Sequence, residues 1–454
     1  MNMQQLLFIL LAGSAGYLAF RGYKRIYQNI LLGKPTQLSG RASDRWSNVL
    51  LVAFGQKKMF KNWIPAVFHL FIYVAFLFTQ IELLEIMIDG VFGVHRFFAP
   101  FLSGLYTFII SCIEILSFLA LIATIVFLYR RNLLKVPRLV KSELNGWPKL
   151  DANLILVGEL LLVTGIFTMN GADSVLQMRE SIQYPSTGNL AISSWLGPAL
   201  FGSMDTALLQ MVERAGWWLH LLVVLSFIVY LPYSKHLHIF LAFPNVYFSN
   251  LNSRGKMENM PEIMNEVKSM LGMEAETNSE ASSEIPEFGA KDVFDLSWQN
   301  IMNAYTCTEC GRCTAVCPAN VTGKKLSPRK IMMDIRDRAE EVGKNIASGD
   351  IKYTKNEENS SQVALNAHNY DDGKSLFDYI SREEIHACTS CNACVEACPV
   401  LINPLEPILS LRRYEILSES AGPHEWVQLF NAMENGGCVW QIPAEREAWR
   451  HELT

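Results

Sequence analysis

In a chain of 454 residues, a hydrophobic share of 50% with only 18% charged residues is too apolar for an ordinary soluble protein. A net charge of −5, with no basic cluster beside its cysteines, argues against a nucleic-acid partner. The apolar residues crowd into roughly the first half of the sequence, so a membrane part followed by a soluble part is expected.

Five apolar stretches reach the roughly 20 residues that a hydrocarbon core requires. They are 4–20, 63–88, 104–129, 152–170 and 214–241. The first has no Lys or Arg before it and a basic segment after it, the reverse of a signal peptide's charge order, so it reads as a retained span. Basic residues gather in two connections, Arg21 to Lys61 after the first span and Arg130 to Lys149 after the third. The positive-inside rule then places the N-terminus outside, the long C-terminal part in the cytoplasm, and 171–213 as an external cap.

Ionisable side chains inside such helices are costly and usually face a cofactor or a polar path. His69 lies near the inner end of the second span; His220 lies near the outer end of the fifth, with His236 and His238 near its inner end. On a continuous helix His220 and His238 share a face about 27 Å apart, while His236 points elsewhere. The second and fifth spans run antiparallel, so depth pairs His69 with His238, the usual way to hold a b-type haem. His220 is the candidate ligand of a second haem, either with His95 from the loop after the second span or alone. The competing reading makes all of these hydrogen-bonded core histidines, with His236 snorkelling at the interface. Glu82, Glu85, Glu114 and Glu159 also fall within spans, as carriers of quinone protons or as headgroup-level residues. Cys112, isolated in the third span, reads as a small apolar group.

Beyond the spans, 246–293 reads as a linker, with a short amphipathic helix at 261–271 and a stretch from Glu274 to Glu287 too polar to bury a core. Asp295 or Ser297 then caps a helix leading to Tyr305. Two cysteine runs follow. Cys307, Cys310, Cys313 and Cys317 precede Pro318, and Cys388, Cys391, Cys394 and Cys398 precede Pro399. This C-x2-C-x2-C-x3-C-P spacing wraps thiolates around a cubane cluster, the last Cys of each run ligating the other cluster. One [4Fe–4S] centre is therefore assigned to Cys307, Cys310, Cys313 and Cys398, and a second to Cys388, Cys391, Cys394 and Cys317. Structural zinc takes two separated pairs instead, and disulfides are rare on a cytosolic face. Between the runs, Ser327-Pro328 opens a helix and 345–372 reads as a surface excursion; after them, Pro407 opens another helix. His368, His386, His424 and His451 lack ligand spacing and read as surface residues, and Cys438 as a passive thiol.

With histidines on the second and fifth helices, the later four spans resemble the cytochrome b subunit of membrane-bound nitrate reductase and the membrane subunit of heterodisulfide reductase. Tyr230-Leu-Pro-Tyr-Ser-Lys-His-Leu-His238 looks like that family's fifth-helix exit. Ala304-Tyr-Thr-Cys-Thr-Glu-Cys-Gly-Arg-Cys313 is similar to the ferredoxin part of heterodisulfide reductase-like iron–sulfur oxidoreductases. These include fused quinone oxidoreductases that accept electrons from electron-transfer flavoprotein. The resemblance implies an all-α protein of the bacterial or archaeal inner (plasma) membrane. Its parts would be a five-helix cytochrome b-like bundle (1–245), a linker (246–293) and a cytosolic helical ferredoxin domain (294–454). It implies an oxidoreductase component carrying electrons between a cytosolic redox subunit, two clusters, haem b, and menaquinone or ubiquinone.

Two departures bear on that expectation. Thr79 stands where the nitrate reductase subunit has a second helix-2 histidine, so one haem is expected rather than two. The CCG repeats usual after the ferredoxin part are missing, so a separate CCG-domain or flavoprotein subunit is expected as partner. The alternative reading is a haem-free membrane-anchored ferredoxin serving oxidase assembly or redox sensing.

Overall fold

A computed structural model describes residues 3–36, 38–179, 183–253, 255–257, 259–273, 288–354, 365–366, 368–439 and 448–451. The expected polar linker stretch from Glu274 to Glu287, part of the excursion 345–372 and the side chain of His451 lie outside the described residues. The described chain is all-α: it holds two isolated β-bridges, Lys34 with Ser297 and Thr354 with Tyr370, and no strand.

Five helices are long and apolar enough to cross a membrane. They are α1 (Met3–Ile30), α2 (Trp63–Phe92), α3 (Gly104–Asn132), α4 (Trp147–Met178) and α5 (Thr206–Tyr230). Local chemistry sets their ends. Gly93, at φ +69°, closes α2 in the left-handed conformation that glycine tolerates. Asp205 caps α5 by accepting the Leu208 amide at 2.9 Å. Between α4 and α5 small residues let backbones touch, since a Cβ on Gly216 would lie 2.6 Å from the Met169 nitrogen.

Three expected boundaries are corrected. The fifth span does not run to residue 241: α5 stops at Tyr230, because Pro232 has no amide to continue it. Asp151 secures the break, accepting from the Ser234 hydroxyl at 2.6 Å and the Lys235 amide at 3.1 Å. His220 and His238 therefore do not share one helix; His238 opens a new one, α6 (His238–Tyr247). Next, α4 runs on to Met178, so the cap expected at 171–213 is much shorter and is built around the helix Ser193–Phe201. Finally, α1 extends ten residues past its expected end, carrying Arg25 and Asn29 onto the cysteine-bearing region.

The cysteine-bearing region is not simply tethered. Its core is built on α7 (Trp298–Thr306), α8 (Pro328–Ser348) and α9 (Leu405–Arg413), and it takes in Ile26 and Ile30 of α1 and Leu237. Residues 288–293, expected as linker, belong to this core. Ala290 and Val293 are fully buried, and the Ala290 amide donates to the Ser410 carbonyl at 2.9 Å. Gly289, at φ +83°, permits this, because a Cβ there would fall 2.3 Å from the Tyr414 nitrogen.

At the opposite end of the bundle a buried polar network closes the structure around Arg96, which is 4% exposed. Its guanidinium meets Asp173 at 3.0 Å, Glu82 at 3.9 Å and the Tyr106 hydroxyl at 3.2 Å. Glu85 accepts from the Tyr106 hydroxyl at 2.7 Å, and Glu114 accepts the amides of Ile192 and Ser193 at the start of the short helix. Glu82, Glu85 and Glu114 are thus buried and hold the structure together, not exposed at the headgroups.

Candidate functional site

Both cysteine loops repeat one backbone path. The third and fifth residues of each are left-handed, Glu309 at φ 54° with Gly311 at 70°, and Ser390 at 55° with Asn392 at 60°. Such alternation curls the chain so that side chains and amides face an enclosed space, as in many iron–sulfur sites. Only one of the four is a glycine, so the others are held against strain. For Glu309 the hold is electrostatic: its carboxylate meets the Lys235 ammonium and, at 2.9 Å, the Arg336 guanidinium. Burial alone would raise the Glu309 pKa, but these two cations outweigh it and keep it below its usual range.

Cys317 lines the same small cavity as Cys388, Cys391 and Cys394. Burial, and after it the neighbouring thiols Cys307, Cys310, Cys398 and Cys394, pushes the Cys313 thiol up. Thiols of the two cysteine runs are thus neighbours. Burial, reinforced by neighbouring thiols, pushes Cys307 and Cys394 up to about 12 and Cys398 to about 11. Such thiols do not ionise together at neutral pH unless a cationic metal centre stands among them. This donor chemistry fits an iron–sulfur cluster at each grouping.

Three arginines, missed in the sequence, brace the loops. Arg138 donates to the Cys310 carbonyl at 2.7 Å, and the fully buried Arg329 bonds Glu143 at 2.7 Å and the Glu309 carbonyl at 3.3 Å. Arg412 gathers the carbonyls of Ile385 at 2.7 Å and His386 at 3.2 Å, together with that of Cys388. Arg138 and Glu143 appear in the sequence only as members of a charged connection, so their partners some 170 and 190 residues away leave no local signal. Amides also reach sulfur, Ser390 to Cys388 at 3.4 Å and Ile402 to Cys398 at 3.3 Å. Hydrogen bonds of this kind tune cluster potentials.

The structure brings three histidines together. The His69 and His238 rings stand 6.5 Å apart between centroids, and His236 lies 5.6 Å from His238. His69 Nδ1 is 3.3 Å from Gln56 Oε1, and His238 Nδ1 is 3.2 Å from the Lys235 carbonyl. Assigning the proton to each Nδ1 on these contacts leaves both Nε2 atoms unprotonated. The snorkelling expected of His236 is corrected: it packs edge-on against Phe227, while Lys235 beside it turns inward to Glu309 and the Pro148 carbonyl.

The remaining candidates are not gathered there. His220 is buried with Nδ1 3.3 Å from the Leu162 carbonyl. His95 is engaged by Asp173 at 3.3 Å and packs on Tyr184, and the Thr79 hydroxyl bonds its own helix at the Phe76 carbonyl. His386 is not a surface residue; it is covered by Trp426 and lies 2.9 Å from Glu415. His368 and His424 are exposed, while Cys112 and Cys438 are partly buried. Among the described residues no three His, Cys, Asp or Glu side chains converge on a single metal ion.

Both loops are joined to the segment that leads into the helix carrying His69. Arg312 donates to the Met59 carbonyl at 3.5 Å, Lys58 to the Val395 carbonyl at 3.4 Å, and Lys61 pairs with Glu396. The 4Fe-4S dicluster domain family matches residues 306–402, which contain both cysteine runs. The chain carries a dicluster iron–sulfur domain. Over 98% of its length it is 29% identical to the probable iron-sulfur-binding oxidoreductase FadF of Bacillus subtilis (strain 168), covering 61% of that protein. Again over 98% of its length, it is 25% identical to the EtfAB:quinone oxidoreductase of Syntrophomonas wolfei subsp. wolfei, covering 59%. A probable membrane-anchored ferredoxin of Chromohalobacter salexigens matches 36% of the chain at 30% identity, over 24% of its own length. The chain thus spans about three fifths of the first two relatives. No solved structure matches it.

Proposed function

We propose that this protein is the membrane-bound electron-transfer component of an iron–sulfur oxidoreductase. It links a soluble redox partner to a membrane quinone through two [4Fe–4S] clusters and one haem b. The dicluster domain lies on the cytoplasmic side, where the basic connections of the bundle also lie. Cys307, Cys310, Cys313 and Cys398 hold one cluster, and Cys388, Cys391, Cys394 and Cys317 the other. The relatives matched along nearly the whole chain carry oxidoreductase names, and one name includes quinone, which supports the reading.

The observation that carries the proposal is the His69–His238 pair, linked to the first cysteine loop through Lys235 and Glu309. His69 and His238, facing one another across the foot of the bundle, would together hold a haem iron. A haem b held there supplies a one-electron carrier. The chain's own contribution is positioning: Gln56 and the Lys235 carbonyl orient the rings, and the Lys235–Glu309 pair ties them to the first loop. His220, resting on the Leu162 carbonyl, is not brought beside another imidazole, which favours one haem over two.

The test is to add a reduced quinol to the purified full-length protein and follow haem and cluster absorbance. Reduction of both cofactor types supports the reading. A haem-free preparation whose clusters ignore quinol would sink it and favour the membrane-anchored ferredoxin reading.

A further inference from the structure

A cavity of about 710 Å³ opens where the foot of α2 meets the second cysteine loop, and none of the redox groups uses it. Six cations line it: Lys34, Lys57, Lys58, Lys61, Lys256 and Arg413. Three carboxylates do so as well, and all are engaged. Asp295 pairs with Lys34 at 3.3 Å, Glu396 with Lys58 and Lys61, and Glu406 accepts from Asn250 at 3.3 Å. Lys57 and Lys256 are exposed and pair with no carboxylate among the described residues. The cavity is therefore a cationic hollow with unmet positive charge.

A second, independent observation points the same way. Asn300 lines this cavity, is 5% exposed, and has a side-chain Oδ1 without a partner. That orphaned acceptor calls for a ligand that also carries a donor, such as the hydroxyl of a glycerol headgroup. One wall identifies the source. The segment that supplies Lys57, Lys58 and Lys61 runs from the helix Ala42–Asn48 through the π-turn Val49–Phe54 into the first residues of α2. It exposes Trp46, Leu50, Leu51, Phe54 and Trp63, each by 47% or more, next to the membrane-crossing helix. Aromatic and aliphatic residues set beside lysines at the end of a span mark the headgroup level of a bilayer.

We propose that this cavity binds the phosphate headgroup of an anionic phospholipid, with its acyl chains running along the apolar face of 46–63. The headgroup neutralises Lys57 and Lys256 and bridges the foot of α2 to the Asn392–Glu396 segment of the second cysteine loop. The lipid thus becomes part of the joint between bundle and dicluster domain. Basic pockets at the cytoplasmic ends of transmembrane helices recognise anionic headgroups in this manner.

The experiment uses the full chain in nanodiscs of phosphatidylcholine with and without phosphatidylglycerol. Native mass spectrometry then counts retained lipid. Phosphatidylglycerol is expected to remain bound to the wild type, and Lys57→Gln with Lys256→Gln to weaken its retention roughly thirtyfold. Lys24→Gln with Lys149→Gln removes equal charge from exposed positions outside the cavity and should leave retention unchanged. Unaltered cluster absorbance in both variants establishes that they fold. Equal retention in wild type and the cavity variant, or equal loss in both variants, overturns the proposal. A further arm titrates inorganic phosphate and glycerol phosphate. If either displaces the lipid at matched concentration, the ligand is a soluble phosphate and the lipid assignment is wrong.

Discussion

At the end of the bundle far from the cysteines, Arg96 draws Asp173, Glu82, Tyr106 and Asn170 into a closed knot. At the near end, Lys235 reaches out of the bundle to Glu309 on the first cysteine loop, and Arg312 of that loop reaches back to the Met59 carbonyl. Both ends bury charge, but the far end satisfies it within the bundle whereas the near end uses it to fasten a second region. The contrast ties polar side chains at one end to closure of the fold and at the other to the placing of carriers. Mutations at the two ends should therefore separate stability from electron transfer.

The largest effect is expected at the near end. His69→Ala should abolish the low-spin haem band in the reduced-minus-oxidised spectrum while leaving the iron–sulfur absorbance intact. Cys317→Ala should remove one cluster, halving the cluster iron per chain, whereas Cys112→Ala should leave iron unchanged. At the far end, Arg96→Met strips the guanidinium from buried carboxylates and should cost about 3–5 kcal/mol. Thermal unfolding in detergent would measure this, and the haem band should not shift. If it did, the two ends would be coupled and the contrast would fail. Between the two, Glu309→Gln should cost about 1–3 kcal/mol and slow haem reduction by the clusters, read by stopped-flow absorbance.

The smallest effect concerns pH. Burial would raise the Asp372 pKa, but its bidentate bond to Arg338, at 2.6 and 2.8 Å, wins and holds it at about 2, below an ordinary value of 3.8. A depressed carboxylate stabilises the fold above its unfolded value and loses that contribution as pH falls through the folded one. Acid unfolding of the dicluster region, followed by tryptophan fluorescence, should therefore steepen between pH 3.8 and about 2 in the wild type and less in Asp372→Asn.

Much of the site was legible because its chemistry is local. The cysteine spacing identifies cluster loops without any tertiary information, and antiparallel spans pair His69 with His238 by depth alone. The break at Pro232 was written in the sequence too, yet hydropathy carried the fifth span through it, since Leu231 and Tyr233 are apolar neighbours. Other features had no local signature. Arg96 sits in a short connection, and its partner Asp173 lies 77 residues on. Nothing near Arg25, Asn29 or Lys235 in sequence reveals their partners Glu340, Tyr305 and Glu309.

The end of α1 has one more consequence. Asn29 bonds the Tyr305 hydroxyl at 2.8 Å, and Gly343 passes so near that a methyl group there would collide with the Asn29 amide. Such a contact locks like a mortise joint where α1 meets the cysteine-bearing region. Charge should then hop along a rigid track instead of riding a swinging arm, so turnover should be indifferent to the viscosity of the surrounding solution.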